Sequence, residues 1–331
     1  MTTQIKYIVY GLLIIGLTFI FINCKKTTES EDENGGEWLE TQITTDGSDQ
    51  YSPAIYQDKI VWVDERNGNN DIYMYDISTS TETQITTNSS NQVQPAIFDN
   101  KIVWNENRIG NMDIYLYNLT TNIEIQITTD GSGQMYPAIY DDKIVMWDDR
   151  NGNYDIYMFD LATNSETQII TNGSYQGPPK IFGDKIVWTD KRNGNYDIYM
   201  FDLTTSTETQ ITTDGSNHYS PAIYGDKIVW QDTRNGNQDI YMFNLASNTE
   251  TQITSNDSTQ EVPAIYQDKI VWYDIRNGNE DIYMFNLASN TETQITTDGS
   301  NHYSPAIYGD KIVWSDNRNG NYDIYMAELV L

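Results

Sequence analysis

Apolar residues in this chain come in short bursts of four or five, and the bursts return every 42 residues. One copy, residues 40–81, reads ETQITTDGSDQYSPAIYQDKIVWVDERNGNNDIYMYDISTST. Four strand phrases stand out in it. T-Q-I-T alternates apolar and polar positions, as a half-exposed strand does, and P-A-I-Y opens on a proline, which a strand tolerates at its start. K-I-V-W and D-I-Y-M-[YF] are nearly unbroken apolar runs, the mark of strands covered on both faces. Nothing in the copy has a helical period.

Turn chemistry separates the phrases. A two-residue link, Gln57-Asp58 or Gly225-Asp226, predicts a tight hairpin between the second and third. Asn67-Gly68 predicts another between the third and fourth, because both residues tolerate positive φ. The second copy carries Ile109 in place of that asparagine, and a β-branched residue resists positive φ. Either its turn differs, or the asparagine position has negative φ in every copy.

Seven copies follow one another without insertion or deletion, and residues 38–331 number 294, which is 7 × 42. A fixed period of this length means an array of one supersecondary unit. A four-stranded sheet with two apolar faces cannot stand alone, whereas seven arranged radially cover one another. The prediction is an all-β chain: a seven-bladed β-propeller with four-stranded antiparallel blades of 42 residues. The array opens on a T-Q-I-T strand, Glu40 to Thr45, and ends on a D-I-Y-M strand, Asp323 to Leu331. The N-terminal strand is therefore expected to complete blade seven and close the ring.

Trp62, Trp104, Trp188, Trp230, Trp272 and Trp314 recur at one position and are expected between blades. Each is worth roughly 1.5–3 kcal/mol when buried. Copy three has Met146 there, with Trp147 one place on, so that blade should pack differently. Copy seven has Ala327 where the others have Tyr or Phe, and Trp38 is expected to cover the gap.

Charge narrows the partners. The formal net charge is −29, a field that repels phosphate backbones, so nucleic acid is not expected as a partner. The only cysteine, Cys24, lies outside the repeats, which excludes an intrachain disulfide and thiol chemistry in the array.

Residues 1–24 run MTTQIKYIVYGLLIIGLTFIFINC, with an uncharged stretch from Tyr7 to Ile22 that suits the core of an export signal. Residues 25–37 are polar and read as a flexible tether before the propeller at 38–331. An apolar run, one cysteine and a solvated linker resemble a lipoprotein signal, which would make Cys24 the lipid attachment site. Phe21-Ile22-Asn23 stand where that signal has a small residue before the cysteine. Lipidation, an uncleaved anchor and simple secretion all remain open; each places the repeats outside the cytoplasm.

The phrases S-P-A-I-Y-G-D-K-I-V-W and D-x-R-N-G-N-x-D-I-Y-M-F-[DN]-L resemble the TolB-like propeller repeat, across residues 38–331 and seven times over. The resemblance implies a binding or scaffolding module of the cell envelope, of cell-surface type.

Two sets of residues are candidates for chemistry. The first is the D-x-R-N-G-N-x-D turn, which brings Asp64, Arg66 and Asp71 together in the first blade. Every arginine of the chain falls in this turn: Arg66, Arg108, Arg150, Arg192, Arg234, Arg276 and Arg318. Oxygen ligands on a glycine turn suit calcium. Against that, the arginine competes for the carboxylates and suits a structural bridge, within a blade or to the next. The second set lies three residues before each proline: Gln50, Gln92, Gln134, Gln176, His218, Gln260 and His302. Preceding the innermost strand, these are expected near one mouth of the channel, as ligand contacts or as backbone-bonded struts. Oligogalacturonate lyases have a similar fold, and that family holds a divalent metal through histidines and a glutamine; the two histidines here do not match that site residue by residue. They occupy identical surroundings, T-D-G-S-N-H-Y-S-P, so neither is singled out for a Ser-His-Asp triad. Asn88, Asn118, Asn172 and Asn256 begin glycosylation sequons.

The expectation from sequence is thus an exported propeller, membrane-anchored through its N-terminus, that binds an envelope protein or glycan. It is expected to need no cofactor or metal and to have no enzymatic activity. The alternatives are a metal-dependent, polysaccharide-lyase-like envelope enzyme and a structural coat component.

Overall fold

The computed structural model describes residues 26–31 and 36–330, all of them strand, turn or loop. Cys24 and the apolar leader lie outside the described residues. Seven antiparallel sheets form the blades of a propeller, each a simple meander from the axis outwards. Blade one runs Gln50–Tyr56, Lys59–Asp64, Asp71–Asp76 and Thr81–Gln84. Every inner strand touches the inner strands of both neighbours, and His302–Tyr308 meets Gln50–Tyr56 to complete the circle.

Closure takes the predicted form. Strand Glu37–Gln42 pairs antiparallel with Asp323–Val330, with Thr41 opposite Met326 and Gln42 opposite Tyr325. Its side chains repeat the contacts of the other outer strands, Gln42 donating to Asp323 at 3.1 Å. Trp38 is fully buried in the same apolar cluster as Ala327, filling the space left by the missing ring. A fifth strand, Lys26–Glu31, then pairs with Glu37–Gln42. The segment read from composition as a tether thus carries strand, because the outer edge of blade seven offers it unpaired backbone groups.

The six recurrent tryptophans are fully buried, and each indole N–H donates to the acidic side chain two residues on, as Trp62 does to Asp64 at 3.0 Å. In blade three Met146 takes the buried place. Trp147 lies on the other face of its strand, as the period of two requires, and stacks on Tyr154 at 4.9 Å. The hairpin between the K-I-V-W and D-I-Y-M strands resolves the question raised by Ile109. Gly68 and its equivalents have positive φ, and the asparagine before them does not, so isoleucine fits there without strain.

Two features set the shape of the channel. At the end of the inner strands, Tyr56, Phe98, Tyr140, Phe182, Tyr224, Tyr266 and Tyr308 form a closed circle of rings, with neighbouring centroids 4.4–5.0 Å apart. Seven such spacings put the centroids roughly 5 Å from the axis, so the rings crowd the channel at this end. At the other end of the inner strands the residue before the proline adopts positive φ in six blades: Ser52, Gln94, Tyr136, Ser220, Val262 and Ser304, at 50–58°. A bulge results there in each. Blade four has Pro178 at this position, and proline cannot take positive φ. Its inner strand is cut to Lys180–Phe182, with only an isolated bridge from Gln176 to Asp190 beyond it.

Candidate functional site

The arginines form a ring of struts, each within its own blade. Arg66 donates from Nε and Nη2 to Asp64, at 2.9 and 2.6 Å, and from Nη1 to Glu82 on the outer strand at 2.6 Å. Its guanidinium lies over the Tyr73 ring, 4.3 Å from the centroid, and all seven arginines sit over the equivalent tyrosine at 4.0–4.4 Å. Asp71 is not part of this pair. It accepts instead from Asn67, Asn69 and Gln84, at 2.9, 3.2 and 3.1 Å. Glu82 escaped the sequence reading, although a glutamate recurs there every 42 residues.

All seven members of the Gln/His ring are fully buried. The glutamines donate to the turn that enters the blade: Gln50 to the Ser48 carbonyl at 2.7 Å, Gln92 to Asn88 at 3.0 Å, Gln260 to Asn256 at 2.9 Å and Gln176 to Asn172 at 2.9 Å. Gln134 reaches both Asp130, at 3.1 Å, and Asp148, at 3.0 Å.

The histidines make the same link with a charge. His302 Nδ1 is 2.7 Å from the Glu280 carbonyl, while Nε2 faces Asp298 at 3.4 Å and Asp316 at 3.2 Å. Acceptors on both ring nitrogens require the imidazolium. Burial pulls its pKa down, but the two carboxylates outweigh burial and hold it at about 9. His218 sits the same way between Asp214 and Asp232, and is raised likewise. Each Asp-His-Asp trio has donor atoms within 4.8 Å, close enough for a metal ion. Yet Arg234 already contacts Asp214 and Asp232 at 2.8 and 2.6 Å, and Arg318 contacts Asp298 at 2.7 Å. Guanidinium and imidazolium together neutralise the carboxylates that an ion would need.

The sequon asparagines are also engaged. Asn88, Asn172 and Asn256 accept from the serine two residues on, at 2.9–3.0 Å, and Asn118 accepts from the Thr120 N–H at 2.9 Å.

Sequence reasoning missed the place where the copies differ most. Six positions, those of Asp49, Tyr51, Ser52, Val63, Glu65 and Asn70 in the first copy, each hold five or more residue types among the seven copies. A scaffold needs sameness, so positions that diverge on it are free for recognition. The fold gathers them at one mouth of the channel, where they touch one another. Tyr51 bonds Glu65 at 3.2 Å, the Asn217 N–H meets Thr233 at 3.1 Å, and the Tyr136 N–H reaches Gln94 of the next blade at 3.2 Å. In blades three to five, six of these eighteen positions are aromatic. Tyr136, Trp147, Tyr175, Tyr196 and Tyr219 form a continuous arc with successive centroids 4.7–5.9 Å apart, and Tyr136 and Tyr175 are 38% and 43% exposed. Burial raises the pKa of Tyr175 and Tyr219, so both are neutral phenols at physiological pH.

The arc borders a cavity of about 430 Å³ that crosses the mouth from Tyr136 in blade three to Val262 in blade six. Blade four opens it. Gly177 stands where other copies have larger residues, and it donates to the Thr189 carbonyl at 2.6 Å. A Cβ there would be 3.0 Å from the Thr189 Cβ, so the close approach needs glycine. Lys180, an alanine in the other six copies, also lines the cavity.

A scan of protein-family models finds no match, and neither does a search of curated proteins. Solved structures do share the fold. An oligogalacturonate lyase from Vibrio parahaemolyticus superposes with a TM-score of 0.70 at 14% identity, over 92% of this chain and 96% of that one. TolB from Acinetobacter baumannii gives 0.57 at 18%, over 76% and 67%. An acylaminoacyl peptidase from Pyrococcus horikoshii gives 0.67 at 12%, over 85% of this chain and 52% of that one. Identities this low establish a common propeller fold and nothing of activity. They do correct the expectation of a chain without enzymatic activity, since similar rings belong to a lyase and to peptidases. The propeller architecture gives no ground for excluding catalysis.

Proposed function

We propose that this chain is a glycan-binding propeller of the cell envelope, of TolB-like repeat type, held by its N-terminal segment, with its binding site at the mouth bordered by blades three to five. One observation carries the reading: near-identical copies diverge at six positions, and those positions meet around a tyrosine-lined cavity. Ligand sites are concave, mostly apolar and furnished with a few polar groups, and 430 Å³ is of the size that takes a small ligand. Flat aromatic faces such as Tyr175 and Tyr136 suit the C–H faces of sugar rings, while the hydroxyl and amide groups around the mouth suit their hydroxyls. Placement in the envelope rests on the leader, Tyr7 to Ile22, and on Cys24.

The test is a glycan-array screen of the full chain in mild detergent, followed by calorimetric titration of the best binders. Tyr175→Ala and Tyr136→Ala should each weaken binding tenfold or more, while Ile125→Thr, on the outer strand of blade two, should not. Failure of the wild-type chain to retain any glycan would sink the reading, as would full binding by both tyrosine variants.

A further inference from the structure

Glutamate is sparse in the array, and most of it is engaged. Residues 38–331 hold twelve glutamates, and nine of them pair with an arginine or a lysine. Among the described residues the other three, Glu65, Glu261 and Glu280, form no ion pair. All three occupy divergent positions at the mouth. Glu261 and Glu280 both belong to blade six, and no other copy carries a charge at either place.

The fold sets these two carboxylates among aromatic rings. Glu261 lies opposite Tyr273 in the register and accepts from its hydroxyl. Glu280 is fixed where blades six and seven meet, its N–H donating to Asn301 at 3.3 Å and its carbonyl facing His302 Nδ1 at 2.7 Å. Tyr273 meets Tyr303 of blade seven edge to face, with centroids 6.0 Å apart, and Tyr303 meets Tyr322 in the same way at 5.9 Å. Burial, then Glu261 and Glu280, raise the pKa of Tyr273, so both carboxylates act on one phenol. A further polar group is left over here. The register places Ser315 opposite Tyr303, on the same face of the sheet; it is 2% exposed, and its hydroxyl has no hydrogen-bond partner among the described residues.

Carboxylates lacking a cation, set beside tyrosine rings at right angles, are what an organic ammonium needs: an opposite charge to pair with and ring faces to lie against. A calcium ion calls instead for six to eight oxygens, where this corner offers rings. The corner adjoins the cavity described above, because Val262 and Pro263, which follow Glu261, line it. A chain of sugars seated along blades three to five and extended past Val262 brings its next unit to Glu261. We propose that this second subsite, on blades six and seven, takes a hexosamine unit with a free, protonated amino group, its ammonium held by Glu261 and Glu280 and its ring against Tyr273 and Tyr303. This rests on the glycan reading above and adds a basic sugar class to it. The net charge of −29 draws such a ligand towards the chain.

The experiment titrates a glucosamine tetramer and its fully N-acetylated counterpart calorimetrically into the full chain at pH 6, with trilysine as a cation that has no sugar ring. The free amine form should bind about tenfold more tightly than the acetylated form, and added salt should narrow the gap. Glu261→Gln and Glu280→Gln should each remove most of the preference and leave the acetylated form's affinity unchanged. Asp141→Asn deletes one exposed charge at the opposite end of the inner strands and should leave the preference intact. Equal affinity for both sugar forms overturns the inference, as does a preference that survives both glutamine variants or falls equally in Asp141→Asn. Trilysine binding as tightly as the tetramer overturns it too, since charge alone would then suffice. So does silence of both sugar forms, while the array and the tyrosine variants judge glycan binding separately.

Discussion

Arg318 donates to Glu40, a residue 278 positions earlier, and this ion pair fastens the last blade to the first strand of the ring. In the other blades the corresponding glutamate lies on its own blade's outer strand, as Glu208 does with Arg192, and its side chain is about a third exposed. Glu40 is 4% exposed. Removing one partner of a buried pair leaves the other charge stranded, whereas exposed pairs contribute about 0–1 kcal/mol. Glu40→Ala should therefore cost about 2–3 kcal/mol in urea unfolding, and Glu208→Ala less than about 1 kcal/mol. Equal losses would show that closure does not depend on this contact.

Ile109 leaves a defect that one substitution should repair. In blade one Asn67 donates to Asp71 and to the Tyr73 hydroxyl, both at 2.9 Å. With Ile109 in that place, one carboxylate oxygen of buried Asp113 has no hydrogen-bond partner, and burial raises its pKa. A raised carboxyl pKa means that the ionised form costs stability as pH rises. Ile109→Asn should add about 1 kcal/mol at pH 7 and less at pH 3. Thermal unfolding at both values, with no gain at either, would rule this out.

The histidines make stability pH-dependent on the alkaline side. His302 is held at about 9 in the folded chain against an ordinary value near 6.5. A raised folded pKa gives stability that is fully present below about pH 6.5 and lost as pH climbs to about 9. His218 shifts in the same direction. The doubly substituted His218→Gln, His302→Gln chain, carrying the side chain of the other five blades, should lose that slope. The wild-type chain should be the more stable of the two at pH 6, by roughly 1–3 kcal/mol. Denaturant midpoints across pH 6–9 that run parallel for the two proteins would refute it.

Val262 borders the cavity with φ of 52°, a region that β-branched residues avoid. Strain of this kind costs about 1–3 kcal/mol and gathers at functional sites. Val262→Asn should raise the melting temperature, because asparagine accepts this backbone, and should weaken any ligand that uses the apolar wall. A lower melting temperature would mean that the packing of Val262 outweighs its strain.

The blades were legible because their cause is local and repeated sevenfold. K-I-V-W and D-I-Y-M pair in register in every sheet, and the orphaned T-Q-I-T strand, lacking a blade of its own, had one place to go. The site was legible only in part. Gln50 and its equivalents stand where polar residues meet a mouth, but the strand turns them inwards against the Asp-Gly-Ser turns, and no pattern of residue types distinguishes the two faces of a bulged strand. Reading for sameness also hid what the differences hold: Pro178, Lys180 and Tyr175 look like noise in a repeat until the fold sets them side by side.

The circle of seven rings from Tyr56 to Tyr308 has one more consequence. The rings crowd the axis at one end of the inner strands, whereas the cavity beside Lys180 lies at the other. The two sides of the disc are therefore not interchangeable to an approaching molecule: one presents a collar of touching aromatic rings, the other a recess lined by divergent side chains.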